Sequence, residues 1–191
     1  MFLYFLIDTS GSMDGMKINS VNDTMDNVIS ELKFHSSNLD TSINVLSFAR
    51  KTKWMYKQPV KLDEFTWNIL TASGMTSLGN ACKQLAKNID KHVNNEEVSV
   101  ILLSDGCPTD DFDEGMEKLE SCLSKKKSTR YAIALEGADK PTLNKFTGNE
   151  DNVFGVESLD NLMGLILSVI NTKDKQQVGI ATFNDSYNGW D

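Results

Sequence analysis

The sequence predicts an α/β domain with a doubly wound, mostly parallel central sheet, helices on both faces and one antiparallel edge strand. Three observations carry that expectation. Two predominantly apolar runs of strand length, residues 2–7 and 98–103, the second interrupted only by Ser99, show no sustained alternation with polar residues and stop abruptly at Asp8 and at Ser104-Asp105. Runs of that kind belong to strands buried on both faces. Between and after them come segments whose apolar residues recur three and four apart, the stripe of a helix with one buried side. Strands alternating with such helices build a parallel sheet covered by helices.

Taken in chain order, residues 2–7 are the first buried strand. Ile18, Val21, Met25, Val28, Ile29 and Leu32 mark the first helix. Ser42–Phe48 is a weaker strand, and 52–56 follows closely enough to return beside it as an antiparallel hairpin at the sheet edge. Leu78, Ala81, Leu85, Ala86, Ile89 and Val93 mark the second helix, ahead of the buried run 98–103. Met116, Leu119, Cys122 and Leu123 mark the third, 130–135 is a further strand, and Leu159, Leu162, Leu165, Ile166, Val169 and Ile170 mark a last helix. From Lys173 the periodicity fails. The expected division is a folded domain over 1–172 and a C-terminal tail over 173–191, flexible by composition, in which 178–183 is at most a short strand.

A chain of 191 residues suits one domain with a sizeable core and a short appendage. Its 19 basic and 27 acidic side chains leave a net charge of −8, with no basic stripe to grip a phosphate backbone, so nucleic acid is not an expected partner. No basic region precedes the first apolar run, no cleavage signal follows it, and no stretch reaches the roughly 20 apolar residues of a membrane span. Cys82, Cys107 and Cys122 are an odd count without paired spacing, which argues against a disulfide framework. The expectation is a cytoplasmic protein with no membrane segment and no defined oligomeric state.

The chemistry is concentrated just beyond the buried strands. Asp8, Ser10 and Ser12 place one carboxylate and two hydroxyls at alternate positions of a tight turn, with Gly11 permitting the bend. In open α/β sheets ligands bind outside the carboxyl ends of the strands, where strand order reverses. Ser104-Asp105-Gly106 brings a second carboxylate to the same edge, and Ser73 to Gly79 is a hydroxyl-rich turn opening the second helix. Oxygen-only donors suit a hard divalent cation such as Mg²⁺, Mn²⁺ or Ca²⁺. Taken singly, Asp8 reads equally well as a helix N-cap; N-capping accounts neither for the alternate spacing nor for the third segment.

The run DTSGSM at residues 8–13 resembles the DxSxS motif of von Willebrand factor A domains. Thr76 matches that family's second-loop threonine and Asp105 its third-loop aspartate, in the family's order. The resemblance implies a Rossmann-like fold in which Asp8, Ser10, Ser12, Thr76 and Asp105 form a metal-ion-dependent adhesion site. It implies that Ser10 and Ser12 ligate directly, and that Asp8, Thr76 and Asp105 do so directly or through water. The implied cation is Mg²⁺, with Mn²⁺ or Ca²⁺ as alternatives, and an Asp or Glu carboxylate of a protein partner completes its shell. SGMTSLG, LLSDGCPTD and the stretch 131–170 further resemble bacterial TerY-type proteins associated with tellurium resistance and stress operons. That narrower resemblance covers about residues 1–172 and implies partners from the same operon, phosphatase- or kinase-like proteins among them.

Other readings of these residues compete with this one. A Mg²⁺-dependent phosphotransferase or phosphatase would use Asp8 as nucleophile; such enzymes place a second acid two positions on, where this chain has Ser10. Ser10 and Ser12 lack the setting of a hydrolase nucleophile. The acidic run Asp110, Asp111, Asp113 and Glu114 suits the N-terminus of the third helix through its dipole, or disfavours acidic surroundings on a partner. Gly15 and Met16 rule out a second cation site at Asp14. Cys107 fills a variable position beside the third loop, and His35 and His92 fall at helix ends. Phe183, Tyr187 and Trp190 dock a partner or anchor the tail, and Asp191 is a candidate carboxylate for a neighbour's metal.

Overall fold

Residues 1–35 and 40–155 are described by the computed structural model of the chain. The central strand β1 (Phe2–Asp8) is flanked on both sides by parallel neighbours, β2 (Ser42–Phe48) and β5 (Val98–Ser104), so that Phe5 lies opposite Val45 on one side and Ile101 on the other. Its residues point alternately to the two faces. Leu3, Phe5 and Ile7 enter one core, and Tyr4 and Leu6 the other. Both faces are dry, which is why the strand reads as an unbroken apolar run.

The sheet order is β3-β2-β1-β5-β6-β7, with β3 (Thr52–Trp54), β6 (Ser128–Ala134) and β7 (Val153–Gly155). The antiparallel edge expected from 52–56 is present, and two short strands share it: β3 and β4 (Val60–Lys61) both pair with β2. Helix α1 (Met16–His35) covers one face through Val21, Met25, Val28 and Leu32. The other face carries α2 (Leu78–His92), α3 (Phe112–Leu123) and α4 (Lys140–Thr147). The doubly wound α/β class is therefore as expected. Among the described residues no helix is long and apolar enough to cross a membrane.

Apolar spacing gave no sign of α4. Its eight residues bury only Leu143, Phe146 and Thr147. Its ends are nonetheless written in the sequence: the Asp139 carboxylate accepts from the Thr142 amide, Pro141 stands in the first turn, and Gly148 closes the helix at φ 70°. The stripe over 159–170, the boundary at 172, the tail with Phe183, Tyr187, Trp190 and Asp191, and the side chain of His35 lie outside the described residues.

Helices α2 and α3 meet at two glycines with no room between them. A Cβ on Gly79 would stand 2.2 Å from the Asp111 carbonyl oxygen, and one on Gly115 2.3 Å from the Gly79 carbonyl oxygen. These are backbone atoms, so neither clash is relieved by a rotamer change. Gly79→Ala and Gly115→Ala are each expected to destabilise the fold by about 2–3 kcal/mol in urea unfolding. Gly106→Ala, whose Cβ would meet nothing closer than Thr76 Oγ1 at 3.5 Å, is expected to stay within about 1 kcal/mol of wild type.

Candidate metal centre

The chain runs from β1 outward to β2 and later returns to lay β5 on the other side of β1, so the strand order reverses between β1 and β5. Asp8 ends β1 and Ser104 ends β5, directly over that crevice. Three loops leave from here and are sewn together by backbone hydrogen bonds. The Ser73 amide donates to the Thr9 carbonyl at 2.8 Å, and Gly11 to Gly74 at 2.8 Å. The Thr109 amide donates to the Thr76 carbonyl at 2.8 Å. Gly74 holds φ +87°, a conformation that L side chains rarely adopt.

These loops bring all five expected residues to one end of the sheet. Asp8 has no exposed surface; its Oδ1 accepts from the Ser10 amide at 2.8 Å and its Oδ2 from the Ser104 hydroxyl at 2.7 Å. Ser12, the exposed member, donates to Asp105 Oδ1 at 2.7 Å, and its oxygen lies 3.1 Å from that of Ser10. Thr76 and Asp105 are both buried. The Thr76 and Ser12 hydroxyls converge on Gly106, where a Cβ would lie 3.5 Å and 3.8 Å from their oxygens. Both carboxylates thus accept hydroxyl or amide hydrogens, and the Ser12 oxygen links Ser10 to Asp105. Among the described residues no group of three or more His, Cys, Asp or Glu gathers that could hold an ion. A cation here would be held by Ser10, Ser12 and Thr76 with Asp8 and Asp105, an all-oxygen donor set that fits a hard divalent ion.

Three further residues belong to this cluster. Ser104 anchors Asp8. Gly106 leaves space that a side chain would fill. Lys17, on the first turn of α1, places its Nζ 2.5 Å from Asp105 Oδ2 and 2.9 Å from the Glu136 carbonyl oxygen. The available signal for Lys17 was a cation at the wrong end of a helix dipole. Burial pushes the Asp8 carboxyl above its usual range, with the negative charge of Asp105 adding to the effect; hydrogen bonds from Ser10 and Ser104 oppose it.

The acidic run divides its work. Asp111 caps α3 by accepting from the Glu114 amide, and Asp113 and Glu114 stand in that helix's first turn, as the dipole argument requires. Asp110 instead crosses to α2 and accepts from the Gly79 and Asn80 amides at 2.9 and 2.7 Å. Ser77 makes no side-chain cap there. Asp14 is exposed. Cys107 is exposed beside the third loop, whereas burial raises the thiol pKa values of Cys82 and Cys122, the latter to about 12. His92 lies in the last turn of α2, about 20 Å along the helix from the loop that opens it.

A profile of the von Willebrand factor type A domain matches residues 3–168. No curated protein matches the chain. Among solved structures, the pilus adhesin SpaC from Lactobacillus rhamnosus GG superposes with a TM-score of 0.75 at 12% identity, over 92% of this chain and 30% of that one. The vWF domain of the type V pili tip protein Mfa5 from Porphyromonas gingivalis gives 0.73 at 11% identity, over 95% and 97%. Proximal thread matrix protein 1 from the mussel byssus, in a form whose MIDAS motif is occupied by zinc, gives 0.64 at 22% identity, over 90% and 45%. At these identities the likeness is one of fold. The chain spans less than a third of the length of SpaC and less than half that of the mussel protein.

The raised Asp8 carboxyl has a consequence for stability. The native state holds this proton to a higher pH than the unfolded chain does, so Asp8 favours folding at low pH and that contribution is lost as pH rises through its native pKa. In chelator, the stability difference between wild type and Asp8→Asn is expected to fall with rising pH from about pH 4 upward. Urea unfolding across pH 4–7 checks this; parallel profiles would contradict it.

Proposed function

The chain belongs to the von Willebrand factor type A domain family, and from that premise we propose that it is a non-enzymatic protein–protein interaction module. Asp8, Ser10, Ser12, Thr76 and Asp105 hold a divalent cation, Mg²⁺ in the first place and Mn²⁺ or Ca²⁺ as alternatives. An Asp or Glu carboxylate from a protein partner completes its shell. The observation that carries the reading is the hydroxyl cluster itself, with both carboxylates turned to hydrogen-bond donors around it. Ser10 and Ser12 bind and orient, Asp8 and Asp105 supply charge, and the exposed Ser12 marks the open side from which a partner arrives. The zinc held by the mussel protein's MIDAS motif supports a divalent ion in this fold.

Geometry also speaks against the enzyme alternatives. As an attacking nucleophile Asp8 would need to reach a substrate, and it has no exposed surface and both of its oxygens accept hydrogen bonds. The one histidine with a described side chain is a helix length away from the serines.

The proposal extends to setting and partner. Domain 1–172 carries the site and 173–191 is a tail; the family match over residues 3–168 supports the first limit. Three free cysteines favour a cytoplasmic location. The resemblance of SGMTSLG and LLSDGCPTD to TerY-type proteins favours a partner from a tellurium-resistance or stress-response system, with no role for nucleic acid or membrane.

Thermal unfolding with Mg²⁺, Mn²⁺ and Ca²⁺ tests the centre. A cation that binds only the folded state at a hundredfold excess over its Kd adds about 2.7 kcal/mol, or roughly 5–10 °C for a chain of this size. That shift is expected in wild type and is expected to vanish in Asp8→Ala and shrink in Thr76→Ala. Identical curves with and without cations would overturn the reading.

A further inference from the structure

Lys17 occupies the second position of α1, where a helix presents the positive end of its dipole and a lysine is disfavoured. No acidic residue stands in that turn to compensate it. Its ammonium instead reaches across to the third loop, 2.5 Å from Asp105 Oδ2, and to the Glu136 carbonyl oxygen at 2.9 Å. The Asp105 side chain is 1% exposed and that of Lys17 is 24% exposed, so the ion pair is largely withdrawn from water. The other Asp105 oxygen holds the Ser12 hydroxyl at 2.7 Å. A cation held where the helix opposes it, on a buried carboxylate of the oxygen cluster, is accounted for by that carboxylate's need for a counter-charge.

We propose that Lys17 is the resident counter-cation of the cluster: its ammonium neutralises Asp105, and a divalent ion gains that carboxylate only in competition with it. The inference rests on the metal-binding reading above and adds what regulates it. Asp8 and Asp105 bring two negative charges and Lys17 returns one positive, so an incoming ion meets a net charge of −1 and not −2. Asp105 is then never buried without a cation, because loading exchanges one partner for another. The concentration at which the site loads is set by a side chain outside the five oxygen donors.

Calorimetric titration of Mn²⁺ into the full chain, paired with unfolding in chelator, tests this on wild type, Lys17→Met and Lys17→Arg. Removing one nearby unit charge is expected to tighten Mn²⁺ binding by about tenfold in Lys17→Met. The same variant should melt below wild type in chelator, its Asp105 having lost its partner. Lys17→Arg keeps the charge and is expected to stay within about threefold of wild type. Lys17→Gln, a donor to Asp105 without the charge, is read like Lys17→Met if the latter does not fold. Equal or weaker Mn²⁺ binding in the uncharged variants overturns the inference, as does equal tightening in Lys17→Met and Lys17→Arg. A silent wild type beside a binding Lys17→Met would support the role of Lys17 and sink the metal-binding reading of the native chain; silence in every variant sinks both.

Discussion

A carboxylate with no exposed surface ends the central strand, and the need to compensate it organises the end of the molecule. Burying an unpaired carboxylate costs several kcal/mol even after relaxation. Asp8 meets that cost with two donors, the Ser10 amide and the Ser104 hydroxyl. The first requires the chain to turn sharply as soon as β1 ends. The second requires β5 to lie directly beside β1 and to reach equally far. A single desolvated side chain thereby ties the turn geometry to the strand order, and both faces of the sheet must be covered to keep it dry.

The compensation spreads outward from there. Ser10 touches Ser12, Ser12 touches Asp105, and Asp105 touches Lys17, a polar chain that links β1, β5 and the start of α1. Backbone bonds between the first and second loops and between the second and third hold the hydroxyls in register. Asp110, a third-loop residue, caps α2, and the glycine contact of Gly79 with Gly115 locks α2 against α3. The site therefore rests on helices packed backbone against backbone.

The fold was legible because its signals were long and redundant. Residues 2–7 and, but for Ser99, 98–103 are apolar on both faces, and each major helix carries four or more apolar positions in register. Helix α4 escaped because eight residues give too few turns to establish a period, although its capping residues were in plain sight. The grouping of Asp8, Ser10 and Ser12 was legible because alternation in a turn after a buried strand has few other uses, whereas Thr76 and Asp105 joined them through the family resemblance. Lys17 was not legible, since its disfavoured place in the first turn of a helix marks it as unusual without naming Asp105, which only the third loop brings across to meet it. Asp110 was placed on the wrong helix for a similar reason: in sequence it adjoins α3, and only the packing of α2 against α3 shows which amides it faces.

The antiparallel margin of the sheet has its own consequence. An open strand edge is a template on which another chain can grow. Here that margin is divided between β3, three residues long, and β4, two residues long. Lys53 and Lys61 are both exposed along it. Each fragment offers too few ladder positions for an invading strand to gain a foothold, and each carries an exposed lysine, Lys61 paired with Asp40, that such a strand would have to displace. The same brevity that made this edge faint in the sequence guards the protein against aggregation along it.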